Sequence, residues 1–159
     1  MLSYRRQDET GPATLSLFGN ALAVLVCVEG PGATDADFQA TGFHETYTSD
    51  LVNTVGNCAS RTTAMIKKYF DGVVPADAGN EFVEWDLPEA ARSAVADWRS
   101  AMDDFALDAA CEAGIGLLRT VDAFINATEP FKVAKDESRK DELASILARC
   151  AEAVRIASM

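Results

Sequence analysis

Histidine is nearly missing from this chain: His44 is the only one in 159 residues, so the commonest general acid–base group is represented once. It stands just before a helical period that begins with Glu45, a place for a helix-boundary or surface side chain, and no Ser/His/Asp arrangement can be assembled without it. The phosphate-cradling GxxxxGK[ST], the dinucleotide GxGxxG and the zinc-binding HExxH are also absent. No apolar run approaches the roughly 20 residues that span a bilayer, the longest being Ala21 to Val28. Acidic Asp8 and Glu9 precede that run where a signal peptide wants cations, despite Arg5 and Arg6, so a cytoplasmic chain with no membrane association is expected. Four cysteines, Cys27, Cys58, Cys111 and Cys150, lie far apart with no CxxC, and read as buried free thiols rather than a disulfide framework or a zinc site.

Basic residues are few as well. Fourteen Lys and Arg against 25 Asp and Glu give a net charge of −11, which argues against a non-specific polyanion binder. The total hides a gradient: residues 1–40 carry −3, residues 41–75 are neutral, residues 76–129 carry −9 and residues 130–159 carry +1. Nucleic-acid contact must therefore come from local patches in 41–75 and 130–159. Carboxylates are so dense in 76–129 that accidental pairs are certain, and no catalytic acid pair can be read from them. Residues that are 48% hydrophobic and 25% charged otherwise describe an ordinary globular chain.

Residues 1–42 read as a lead-in segment that is irregular or holds a short strand, because Leu15 to Val28 is apolar without alternation and Glu29 to Thr34 brackets Pro31 with two glycines. Residues 43–159 read as a helical domain. From His44 an apolar face recurs at three- and four-residue steps through Tyr47, Leu51, Val55, Cys58, Thr62, Met65, Ile66, Tyr69 and Phe70, for about seven turns. Asp71-Gly72 is the stop, helped by Lys67 and Lys68 in the last turn and by Pro75 beyond. The acidic linker 76–86 holds Phe82, Val83 and Trp85, which are expected to fold back as a local lid. Asp86 then caps a second helix with Pro88 in its first turn and Ala91, Val95, Trp98, Met102 and Phe105 on one face. A third helix runs to about Thr128, and Gly114 and Gly116 within it suggest either close helix approach or loose local packing. A fourth starts near Glu137 and presents Leu143, Ile146, Leu147, Cys150, Val154 and Ile156. Four such helices pack most simply as an antiparallel bundle, giving an all-α fold class.

Two constellations could carry function. Asn57 and Arg61 stand four apart on the first helix and project side by side, with about 5–6 Å between Cβ atoms. Asn offers a donor and an acceptor, and Arg a planar fork of five donors. Either the two read a base edge while holding its phosphate or stacking on its ring, or they bond each other and satisfy a loop carbonyl. Downstream, Pro130 interrupts the third helix, which presents Phe131 from a rigid turn with Lys132 and Lys135 three apart. An aromatic beside two lysines suits a stacked nucleotide with a nearby phosphate; the alternative is a Phe131 that plugs the core.

Longer strings are more specific. Tyr47-Thr-Ser-Asp-Leu-Val-Asn-Thr-Val-Gly-Asn57-Cys-Ala-Ser-Arg61, continued to Pro75, closely resembles the first helix of the anticodon-binding domain of methionyl-tRNA synthetases, and Phe124-Ile-Asn-Ala-Thr-Glu-Pro-Phe131-Lys-Val-Ala-Lys-Asp136 resembles a second signature of that domain. The resemblance covers about residues 38–157, and Gly32 to Phe38 is faintly similar to the family's connection into the bundle. It implies a helix bundle of the class I aminoacyl-tRNA synthetase anticodon-binding type that recognises the CAU anticodon of tRNA(Met), in partnership with a methionyl-tRNA synthetase catalytic domain in cis or in trans.

Carried over by motif, Asn57 and Arg61 fall on the family's anticodon-contacting asparagine and arginine, and Phe131 on a stacking position that is typically tryptophan. Phenylalanine keeps a ring face but gives up area and the indole N–H, which weakens a contact worth about 1–3 kcal/mol. Lys132 and Lys135 are then candidate phosphate contacts. His44 and Glu45 replace commonly basic residues. The family's catalytic signatures have no counterpart, so the resemblance implies no catalysis by this chain alone and no cofactor, ATP belonging to the catalytic domain. The alternative is a divergent helical protein–protein interaction domain that has lost tRNA binding and docks a basic partner on its acidic middle. Methionine-dependent pyrophosphate exchange is expected to be absent from the purified chain, and a positive exchange assay would overturn that expectation.

Overall fold

A computed structural model describes residues 40–82 and 84–158 of the protein. The expectations placed on Leu15–Val28, Glu29–Thr34, Cys27 and Val83 lie outside those residues. The first helical stretch is unbroken but not uniform: α1 (Ala40–Thr46) passes into a π-helical segment (Tyr47–Gly56) and then into α2 (Asn57–Phe70). The helix is already in place at Ala40, so His44 sits in the last turn of α1 rather than ahead of the helix. The wider π turns explain why the apolar face read from 3.6-residue spacing buries nothing between Tyr47 and Gly56, whereas α2 buries Cys58, Thr62 and Ile66. Gly56 suits that geometry, since a Cβ there would meet the Leu51 carbonyl oxygen at 3.1 Å. α2 stops at Asp71, which is left-handed at φ 53° and donates its N–H to the Ile66 carbonyl; Gly72 follows at φ 83°.

The linker after α2 is clasped to the bundle by one arginine. Arg149 donates from Nε to Asp77 Oδ2 at 2.8 Å and from Nη2 to the Asn80 carbonyl at 2.7 Å, with its guanidinium 5.0 Å from the Phe82 ring centroid. Phe82 then meets Phe124 edge-on at 5.2 Å and Trp85 lies 6.0 Å from the same ring, so these two aromatics fold back onto the bundle as their apolar character suggests. Asp86 caps α3 (Leu87–Asp103) by accepting from the Glu89 N–H at 2.9 Å, with Pro88 in the first turn.

The apolar stripe read along α3 holds only for its first half. Ala91 is buried and Val95 half-buried, but Trp98, Met102 and Phe105 are 44%, 39% and 78% exposed. The groove between α3 and the last helix is lined on the α3 side by residues from Leu87 to Arg99 and on the other by residues from Arg149 to Ile156, while Ala101 in the last turn of α3 is buried. A short turn at 104–106 returns the chain into α4 (Leu107–Thr128), which buries Ala110, Ile115, Leu117, Leu118, Val121, Phe124 and Ile125. Close approach occurs at Gly114, where a Cβ would sit 3.4 Å from the Ala157 carbonyl oxygen; Gly116 has nothing within 4 Å.

Glu129, left-handed at φ 46°, and Pro130 end α4 and start the single turn α5 (Pro130–Val133). A 3-10 turn (Glu137–Arg139) capped by Asp136 precedes α6 (Lys140–Ala157), so the α-helix proper begins three residues after Glu137. α6 buries Leu143, Ile146, Leu147 and Cys150, while Val154 and Ile156 are half-buried. The fold is thus an all-α four-helix bundle, with no strand among the described residues. Truncating the ring at its centre, Phe124→Ala, is expected to lower unfolding stability by about 3–5 kcal/mol. Removing the α3 cap, Asp86→Ala, should cost about 0.5–2 kcal/mol; denaturant titration of both variants checks the order.

Candidate nucleic-acid interface

Arg61 bridges two helices. From α2 its Nη1 donates to Asp122 Oδ1 and its Nη2 to Asn126 Oδ1, both at 2.9 Å and both on α4. Asp122 and Asn126 are four apart, so they leave the same side of α4 and receive the two arms of one planar guanidinium. The alternative in which Asn57 and Arg61 bond each other is not formed: Arg61 is tied to α4 and not to Asn57. Asp122 and Asn126 escaped the sequence reading because they lie 61 and 65 residues away, although Asn126 stands inside the Phe124–Asp136 string.

One turn before Arg61, Asn57 is exposed and its side-chain amide makes no hydrogen bond. Ser60 is exposed beside it. Beneath this surface lie the thiols of Cys58 and Cys150, both fully buried. Burial pushes the Cys58 thiol up to about 11, with the Asp122 carboxylate adding to the rise and Arg61 opposing it. Burial likewise pushes Cys150 up to about 12. These are inert packing groups. Cys111 is half-buried.

Phe131 is 48% exposed on α5, so it does not plug the core; its neighbours Pro130 and Val133 are the buried residues of that turn. Asn126 is in the last turn of α4 and Phe131 follows five residues later, so the Arg61–Asn126 bond ties the Asn57–Arg61 face to the end of α4 that presents the ring. No ring contact or hydrogen bond joins Phe131 directly to Asn57 or Arg61. Lys132 is held by the Glu129 carboxylate at 2.7 Å, whereas Lys135 is exposed with no ion pair among the described residues. The Asn57–Arg61 face therefore offers an amide and a directed guanidinium with three N–H groups to spare, and the turn after α4 offers a ring face and an exposed ammonium, groups suited to bases and phosphates. No cluster able to hold a metal ion occurs among the described residues.

The bundle matches a helical domain of the aminoacyl-tRNA synthetases. The chain is homologous to a segment of the methionine–tRNA ligases. It is 35% identical over 139 residues to the methionine–tRNA ligase of Listeria monocytogenes, covering 86% of this chain and 21% of that protein. It is 36% identical over 158 residues to methionine–tRNA ligase 1 of Bacillus cereus, covering 97% of this chain and 24% of that protein. The chain thus spans about a fifth to a quarter of the relatives it matches. Among solved structures, apo methionyl-tRNA synthetase of Mycobacterium tuberculosis superposes with a TM-score of 0.81 at 25% identity, over 96% of this chain and 32% of that one. The same enzyme bound by methionyl-adenylate also gives 0.81, over 94% and 30%. No protein-family model matches the chain.

The thiols beneath the face yield a pH expectation. A thiol whose folded pKa lies above its unfolded value stabilises the fold fully below the unfolded value and loses that contribution as pH rises through the folded one. Stability from Cys58 and Cys150 should therefore decline from about pH 9 toward pH 11–12. Replacing both by Ala should flatten that part of the denaturation-midpoint profile.

Proposed function

We propose that this chain is a tRNA anticodon-recognition module of the methionine–tRNA ligase type. It positions tRNA(Met) for aminoacylation by a catalytic domain that it meets in cis or in trans, and it works in the cytoplasm. The observation that carries the reading is Arg61, held as a fork by Asp122 and Asn126 one turn from an exposed and unbonded Asn57. Homology to a segment of methionine–tRNA ligases supports it. In this reading the bundle is of the anticodon-binding type found in class I synthetases, residues 43–159 form the module and residues 1–42 lead into it.

Asn57 and Arg61 read base edges, Phe131 stacks on a base, and the lysines meet phosphates. Lys135 is available as it stands, while Lys132 must exchange Glu129 for phosphate. Binding to a methionine anticodon stem-loop, compared with a mismatched one at several salt concentrations, tests the proposal. Arg61→Ala should lose discrimination worth about 1–3 kcal/mol. Lys135→Ala should weaken both stem-loops alike and reduce the salt slope by about one. An Arg61→Ala protein that distinguishes the two stem-loops as well as the parent does would overturn the reading.

A further inference from the structure

At the C-terminal end of α3 three features coincide that cost the isolated fold stability. Trp98 and Met102 continue the stripe of Ala91 and Val95 on one side of α3, Phe105 follows two residues after the helix ends, and all three are exposed. Asp103 and Asp104 stand at the helix's negative pole, the last turn contains no basic residue, and among the described residues neither carboxylate has an ion pair or side-chain hydrogen bond. Asp97, one turn back, is equally unpaired, Asp108 opens α4, and Arg99 is the only cation between residues 93 and 108. Phe105 occupies the left-handed closing position at φ 60°, where the Ala106 N–H donates to the Ala101 carbonyl at 2.8 Å, a position that glycine fills at no steric cost.

We propose that this end of α3 is a docking surface for a cationic amphipathic helix of a protein partner. The apolar residues supply a strip about two turns long, matching one face of such a helix. The aspartates and the helix pole fix the sign of the partner's flanks, since lysine or arginine beside its apolar face would neutralise carboxylates that nothing in the bundle neutralises. An acidic or neutral helix would leave them facing like charge or nothing. The surface is built from residues other than those of the anticodon face, so its occupancy and RNA binding are separate properties.

The test is titration of the full chain with a 14-residue helical peptide carrying leucine at i, i+3, i+4, i+7 and lysine on its flanks, against the same peptide with glutamate for lysine. The lysine peptide is expected to bind, to weaken about tenfold or more when salt is raised well above physiological strength, and to outcompete the glutamate peptide. Phe105→Gly should raise the melting temperature by relieving the left-handed strain, while weakening the lysine peptide about tenfold or more by removing the exposed ring. Asp103→Asn with Asp104→Asn should weaken it and blunt its salt dependence. Absence of binding, equal binding of the two peptides, or a Phe105-dependent dimer in sedimentation would overturn the proposal. So would hydroxyl-radical protection of Trp98 and Phe105 in the free chain, the sign that residues 1–39 occupy the strip.

Discussion

Burial of one face of α4 sets the rotation on which the rest of the bundle depends. Leu117, Leu118, Val121, Phe124 and Ile125 are almost wholly enclosed, and Phe124 receives Phe82 and Trp85 from the linker while α3 and α6 pack alongside. Burying side chains of this size stabilises a fold by about 1.5–3 kcal/mol each, so a turn of α4 about its axis is strongly opposed. With that rotation fixed, Asp122 and Asn126 stand on the edge of α4 that meets α2, and Arg61 has one orientation that satisfies both. The same helix ends at a left-handed Glu129 and a buried Pro130, which fixes where Phe131 leaves the bundle. The candidate site is thus a consequence of core packing, with its parts delivered by different helices to one end of α4.

Features governed by neighbours in the chain were legible in the amino-acid order. Asp86, Leu87 and Pro88 specify the start of α3, and the carboxylate makes the expected capping bond to Glu89. Pro130 specifies the break after α4 because it cannot donate the bond that would continue the helix. The stop at Asp71-Gly72 was readable because glycine tolerates the left-handed backbone that closes a helix. What was hidden depends on distance along the chain. The guanidinium of Arg61 finds partners more than sixty residues on, and Arg149 clasps Asp77 and Asn80 across a similar gap. The π-helical segment was hidden differently: its residues keep the spacing of an α-helical face, and its extra width appears only in the failure of Leu51 and Val55 to become fully buried.

The apolar period of α3 misleads for a third reason. Periodicity reports which residues share a side of a helix, not whether another element reaches that side. Ala91 and Trp98 belong to one stripe, and only the first has α6 beside it. A stripe that runs past its cover is where sequence and isolated fold disagree, and the unpaired aspartates fall at the same place.

The charge balance of the Asn57–Arg61 face follows from how Arg61 is held. Asp122 compensates the guanidinium, so the face gains direction from Arg61 without gaining net positive charge. A half-exposed pair of this kind adds about 0–1 kcal/mol to stability, which leaves orientation as its main effect. Two of the five N–H groups are committed to Asp122 and Asn126, and the planar fork then points the remaining three along fixed lines. Such a group distinguishes ligands by the geometry of their acceptors, because its rotamer entropy is spent before any ligand arrives. Lys135 has the opposite character, an unpaired charge on a flexible stem that responds to phosphate and to salt but not to base identity. In the function proposed above, a strongly acidic chain holds selectivity and electrostatic attraction in separate residues, with Lys135 serving attraction and the paired Arg61 serving choice.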